Sequence, residues 1–211
     1  MTESNDHSQE TPHPPRAEDF DAMYAGTPPW DIGRPQPAFL QLAEAGELKG
    51  RLLDVGCGTG EHALMAAGLG LPATGIDAAP SAIALAEGKA RDRQLTARFL
   101  VGDALELGAV GEQFDTVLDC GLFHIFDDDD RSRFIDSLRA AIPAGGCYFM
   151  LCFSDRQPGE WGPRRVTEDE IRSSFAAGWT VDGIEPTRID ITIDPEGAQA
   201  WLVALTRRVR S

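Results

Sequence analysis

An α/β fold with a doubly wound, mostly parallel sheet is predicted by three observations. Short apolar runs alternate with helical segments from residue 50 onward. Two further apolar runs close the chain without a helix between them, near enough to pair as an antiparallel hairpin. The length of 211 residues suits one domain with small additions. Strands joined by helical crossovers run parallel, with the helices packed on both faces.

The elements follow in order. Residues 1–17 are polar, carry Pro12, Pro14 and Pro15, and read as a mobile tail. Residues 18–49 read as an ordered arm or lid. Phe20, Met23, Tyr24 and Trp30 stand there among prolines and need a surface to dock on, and Pro35 and Pro37 can open a helix through 38–48. The domain proper spans 50–211. RLLDVG (51–56) is a buried strand ending in glycine, and 62–70 has helical character. PATGID (72–77) is a second strand, followed by a helix over 81–93. ARFLVGD (97–103) and FDTVLDC (114–120) are the third and fourth strands. Phe134, Ile135, Leu138 and Ile142 share one face of a helix over 132–142, with Asp127 to Asp130 as its solvated acidic cap. GGCYFMLCF (145–153) is a fifth strand. Thr167 and Glu170 form a capping-box pattern that starts a helix over 167–178. Residues 179–191 and 200–208 are the closing strands.

Charge narrows the function classes. Asp and Glu number 34 against 19 Lys and Arg, a formal net charge of −15. Phosphate backbones and anionic headgroups need basic neutralisation, so nucleic-acid and membrane partners are not expected. No targeting segment or bilayer-length apolar run is seen, which points to a cytoplasmic protein. Cys57, Cys120, Cys147 and Cys152 lack disulfide or zinc spacing and read as free thiols; no metal site is expected.

Ligands of such sheets bind beyond the carboxyl ends of the strands. Those ends carry Asp54, Asp77, Asp103 and Asp119. Four carboxylates at one buried edge call for a ligand rich in donors. After the first strand stands Gly56-Cys57-Gly58-Thr59-Gly60, where glycines let a ligand approach the backbone. The dinucleotide fingerprint needs a third glycine where Glu61 stands, which argues against a nicotinamide dehydrogenase. No P-loop sequence is present. Asp77, 23 residues on from Asp54, strengthens the glycine pattern considerably.

These segments resemble a known family. LLDVGCGTG, GIDAAPSAI, FLVGDALEL and FDTVLDCGLFH look like the successive motifs of class I S-adenosylmethionine-dependent methyltransferases. The resemblance covers roughly 18–211. It implies a Rossmann-like seven-stranded sheet with a C-terminal antiparallel hairpin, and S-adenosyl-L-methionine as cofactor. By that resemblance Gly56, Cys57, Gly58 and Gly60 give room to the methionine moiety, and Asp54 meets its ammonium. Asp77, with Ala78 beside it, binds the ribose hydroxyls. Asp103 and the Ala104 N–H meet the adenine, and Asp119 and Cys120 lie along the ammonium. A sulfonium makes nearby acids favourable.

The arm, GLFHIF and the segment 151–171 resemble the thiopurine methyltransferase-like branch, and more narrowly bacterial enzymes that methylate heterocyclic toxins, quinolones and phenols. Branch members differ in acceptor, thiols and halides included. The resemblance makes Tyr24 and Trp30 aromatics that close over the cofactor. His124, five residues past Asp119, is either a base or orienting group for an N–H, O–H or S–H acceptor or a packed histidine. Met23, Phe123, Phe153 and Trp161 are candidate walls of an aromatic acceptor pocket, or core. Arg164, with Arg165, is a candidate grip on an anionic acceptor, or one half of an ion pair. The expected reaction is methyl transfer to N, O or S of a small aromatic or heterocyclic molecule. The rival from another class is a non-enzymatic protein that binds the same cofactor. A monomer and a dimer are both compatible with the chain.

Overall fold

Among the described residues, seven strands form one sheet in the order β3-β2-β1-β4-β5-β7-β6. The computed structural model describes residues 17–209. The tail reading of 1–17 falls, save for its last residue, outside the described residues. β1 (Leu52–Val55), β2 (Ala73–Asp77), β3 (Ala97–Val101), β4 (Thr116–Cys120) and β5 (Cys147–Phe153) pair in parallel. β6 (Trp179–Ile191) and β7 (Asp194–Arg207) form the antiparallel hairpin, and β7 lies between β5 and β6.

Among the described residues, six α-helices accompany the sheet: α1 (Ala17–Met23), α2 (Pro37–Glu44), α3 (Glu61–Gly68), α4 (Pro80–Asp92), α5 (Asp128–Ala141) and α6 (Glu168–Ser174). On one face α2, α3 and α4 bury Phe39, Leu64, Ile83 and Ala86 against Leu52, Leu118 and Phe149. On the other face α5 and α6 bury Phe134, Leu138, Ile171 and Phe175 against Val117, Tyr148 and Met150. The helical face predicted from Phe134, Ile135, Leu138 and Ile142 is therefore the buried one. No described helix is long and apolar enough to cross a membrane.

Three elements depart from the sequence reading. The link from β3 to β4 is a kinked 3₁₀ segment, Ala104–Val110, which Asp103 caps through Leu105 N. α6 stops at Ser174, because Phe175 turns wholly into the core and Gly178 takes φ +78°. β7 begins six residues earlier than the apolar run, at Asp194. Asp194 to Gln199 carry no large apolar side chain and ladder only with β6, so no run of hydrophobic residues announces them, although Ala198 is buried. The capping box is half made: Thr167 Oγ1 accepts from Glu170 N, while the Glu170 carboxylate pairs with Arg164 and Arg131. Asp127 caps α5 by accepting from Asp130 N, as the acidic cap reading requires.

Candidate active site

The topological switch lies between β1 and β4, whose crossovers leave to opposite faces of the sheet. The glycine turn after β1 opens onto it. Gly56, Gly58 and Gly60 all have positive φ. A Cβ on Gly58 would stand 2.8 Å from the Tyr24 hydroxyl, so the arm lies over this turn. A Cβ on Gly60 would strike Phe99 and Ala86 at 2.7–2.8 Å, so this glycine serves close packing of helix on strand.

Asp54 is fully buried in β1. Its Oδ2 accepts from Ala63 N at 3.2 Å, whereas Oδ1 is buried without a hydrogen-bond partner among the described residues. His62 Nδ1 stands 3.7 Å from that oxygen, outside hydrogen-bond reach. His62 Nε2 accepts from Gln36 N, so the ring's proton is on Nδ1 and faces Asp54. An orphaned buried carboxylate oxygen beside a glycine cradle suits a bound ammonium.

Asp77 closes β2. Its Oδ2 accepts from Gly58 N at 2.7 Å and its Oδ1 from Ala79 N at 2.9 Å. Each oxygen keeps a lone pair for a ligand hydroxyl. Burial pushes its carboxyl above the usual range, opposed by the N–H groups of Ala79 and Gly58. Ala78 is exposed next to it. Burial and Asp77 push the Tyr24 phenol up, and its oxygen accepts from Trp30 Nε1 at 3.1 Å. Trp30 stands edge-on to Phe20 and Tyr24, so the arm aromatics form one cluster over the turn. Met23 is exposed at its outer side.

Asp119 is occupied otherwise. Oδ1 accepts from Leu122 N at 2.7 Å, and Oδ2 from Tyr148 OH at 2.7 Å and Phe123 N at 3.1 Å. Burial raises its pKa to about 7. Its side chain therefore holds the turn after β4, and the expected ring of four ligand-facing carboxylates shrinks accordingly. Asp103 uses one carboxylate oxygen, Oδ1, on Leu105 N, which leaves Oδ2 for a ligand, while Ala104 O accepts from Ser137 Oγ. Burial pushes the Cys57 and Cys120 thiols up.

His124 lies in the 3₁₀ turn Phe123–Ile125. Its Nδ1 accepts from Phe153 N at 3.0 Å, and burial lowers its pKa to about 3, helped by the charges of Arg164 and Arg165. Phe153 stands edge-on to His124 at 5.2 Å and to Trp161 at 5.7 Å. The structure thus gathers His124, Phe153 and the exposed Trp161 into one aromatic strip. Phe123 is elsewhere, fully buried and stacked on Phe175 at 5.7 Å, where it is core rather than pocket wall. Arg164 makes a two-pronged pair with Glu170 and donates to Phe126 O, which leaves it no free prong for a ligand carboxylate. The ion-pair reading of Arg164 is the one the geometry displays.

Sequence reasoning missed one cluster. Lys89 Nζ donates to Thr59 Oγ1 at 2.6 Å and to Glu61 Oε1 at 2.8 Å, and Arg93 forks onto Glu61 at 2.7 and 2.8 Å. Thr59 Oγ1 donates to Asp31 Oδ1, which ties the arm to the glycine turn. Glu61, at the dinucleotide glycine's place, carries two cations: Lys89 of α4 and Arg93 just past its end. The available signal was that Lys89 is one of only two lysines in the chain.

Residues 52–146 match the methyltransferase-domain family. The 2-heptyl-1-hydroxyquinolin-4(1H)-one methyltransferase of Mycobacteroides abscessus is 40% identical over 168 residues, 78% of this chain and 74% of that one. The chain is a methyltransferase of the S-adenosylmethionine-dependent family. A solved structure is similar to this methyltransferase with a TM-score of 0.85 and 39% identity, over 93% of this chain and 94% of that one. It is titled for the conversion of a disulfide bond into a thioacetal group during echinomycin biosynthesis. The magnesium protoporphyrin IX methyltransferase of Synechocystis PCC 6803, solved with bound SAM, shares the fold: TM-score 0.62, 19% identity, 81% of this chain and 76% of that one. S-adenosyl-L-methionine is the methyl donor of the family. The orphaned Asp54 oxygen, the glycine cradle and the spare lone pairs of Asp77 fit it.

Proposed function

We propose that this methyltransferase acts on an oxygen, nitrogen or sulfur of a small aromatic or heteroaromatic molecule. The observation that carries this is the strip of His124, Phe153 and Trp161 beyond the β4 and β5 ends. A flat acceptor would lie against the exposed Trp161 at the open end of this strip, beside the donor site. When bound, the donor supplies a methyl carbon on a positively charged sulfur. The chain's part is to bind, orient and exclude water. Asp54 holds the ammonium, Asp77 the ribose hydroxyls, and Asp103 with Ala104 the adenine. Cys57, Asp119 and Cys120 shape the surrounding wall. Tyr24 and Trp30 serve as the lid, with Met23 at its rim. The quinolone relative and the arm support this reading, and so does the −15 charge, which disfavours nucleic-acid and membrane partners. The protein works in the cytoplasm as a monomer or dimer. A sulfur acceptor is the second reading, favoured by the neighbour titled for disulfide chemistry.

Titration calorimetry with S-adenosyl-L-methionine, followed by mass spectrometry of quinolone, phenol and thiol panels, tests the proposal. Donor binding that Asp77→Ala abolishes, with a methylated aromatic product, is expected. Donor binding unaffected by Asp77→Ala, or no product from any class, overturns it.

A further inference from the structure

Two features of the acceptor end remain unused by the reading above. The first is the tautomer of His124. Its Nδ1 accepts the Phe153 N–H, so that nitrogen carries no proton, and the neutral ring must carry it on Nε2. Nε2 has no hydrogen-bond partner among the described residues. It lies close to Gly121, where an added Cβ would come within 3.2 Å of it, at the carboxyl end of β4. A ring so bonded donates at Nε2; it has no free nitrogen with which to take a proton.

The second is Arg165. Its guanidinium is bound to the carbonyls of Gln157, Pro163, Gly159 and Trp161 and lies 5.4 Å from the centre of the Phe153 ring. Arg164 is offset by Glu170, but no carboxylate pairs with Arg165 among the described residues. The site is therefore polar along its length. Carboxylates gather at the cofactor end, and an uncompensated cation with an N–H donor stands at the other.

Resting on the proposed small-molecule activity, we infer that the acceptor enters as an anion, with His124 as its Nε2–H donor and no enzyme base. The substrate class is then heteroaromatic O–H or S–H acids that are ionised at neutral pH. The acceptor loses its proton to solvent before binding. Its lone pair forms the new bond to the methyl carbon, the carbon–sulfur bond breaks, and that electron pair neutralises the sulfonium. No proton passes to the protein, so the histidine finishes in the state in which it began.

Nitrogen-detected NMR of the ¹⁵N-labelled protein reads the tautomer directly, with His124→Gln assigning the signal. An unprotonated Nδ1 and a protonated Nε2 from pH 6 to 8 are expected; a protonated Nδ1, or a ring that titrates in this range, overturns the inference. Activity supplies the second arm, with nitro-, halo- and unsubstituted phenols and thiophenols as acceptors. The rising limb of kcat/KM against pH should move with each acceptor's own pKa. His124→Phe should lower kcat roughly 10- to 100-fold, the worth of a hydrogen bond to a charge. His124→Gln, which keeps an N–H near Nε2, should fall between the two and retain the profile. One limb common to all acceptors and absent from His124→Gln would mean an enzyme base and overturn the inference, leaving the methyltransferase reading intact. Loss of donor binding or of all methyl transfer would instead overturn the proposed function.

Discussion

At the scale of single residues, Asp119 carries the most measurable chemistry. A carboxyl with a pKa near 7 in the fold and an ordinary one when unfolded keeps a proton that the unfolded chain sheds. Its contribution to stability is present at low pH and is lost as pH rises toward 7. The stability gap between the wild type and Asp119→Asn should therefore narrow by roughly 2–3 kcal/mol between pH 5 and 8. Urea unfolding at these two pH values checks the sign, and a gap that widens would contradict it. Gly58 is a second case. Its φ of +50° disfavours a side chain, and a Cβ would meet the Tyr24 hydroxyl. Gly58→Ala should weaken donor binding at least tenfold by calorimetry while thermal stability falls by ~1 kcal/mol.

Among elements, the arm is the most instructive. Its first part, 18–34, is attached at separate points, whereas α2 beyond it buries Phe39 in the core. Asp21 Oδ1 accepts from Ser81 N and so caps α4 from outside that helix, whose own Ala79 offers no side-chain cap. Pro29 O accepts from Thr192 N in the β6–β7 turn, and Arg34 pairs with Asp190 at 2.6 Å. Asp21→Ala should cost about 1 kcal/mol, the usual worth of a cap. Amide hydrogen exchange of residues 18–32 should rise with it, while exchange in β1 and β4 stays as it was. Asp31→Ala should loosen the arm at the glycine turn and raise the donor Kd severalfold with little change in Tm. An unchanged Kd would remove the lid role. The hairpin explains Pro186, which sits inside a strand: β6 is at the sheet edge, where a missing N–H is tolerated.

Across the whole molecule, the three-layer build places every loop after β1, β2, β3 and β4 at one rim, and the net charge of −15 surrounds a site for a cationic donor. Long-range attraction of this kind is screened within about 10 Å at 0.1 M salt. The association rate of S-adenosyl-L-methionine should fall as salt rises from 20 to 500 mM, with the dissociation rate much less affected. Stopped-flow fluorescence of Trp30 measures both, and a salt-independent association rate would show that the charge plays no part in capture.

The sequence by itself determined the alternation of strand and helix, the glycine turn, and the carboxylates Asp54 and Asp77 beside it. These are local properties: side-chain period, positive φ and strand ends are written within a few residues. The placement of β7 between β5 and β6 came only with the fold, since its first residues have no apolar pattern. So did the commitment of Asp119 to Tyr148 and of His124 to the Phe153 N–H, in each case across 29 residues. The pairing of Arg34 with Asp190 spans 156. Whether a carboxylate or an imidazole is free for a ligand depends on partners that meet it only after folding. For that reason the chain alone left His124 as a base or orienting group or a packed histidine, and the Phe153 N–H that occupies its Nδ1 is visible only in the tertiary structure.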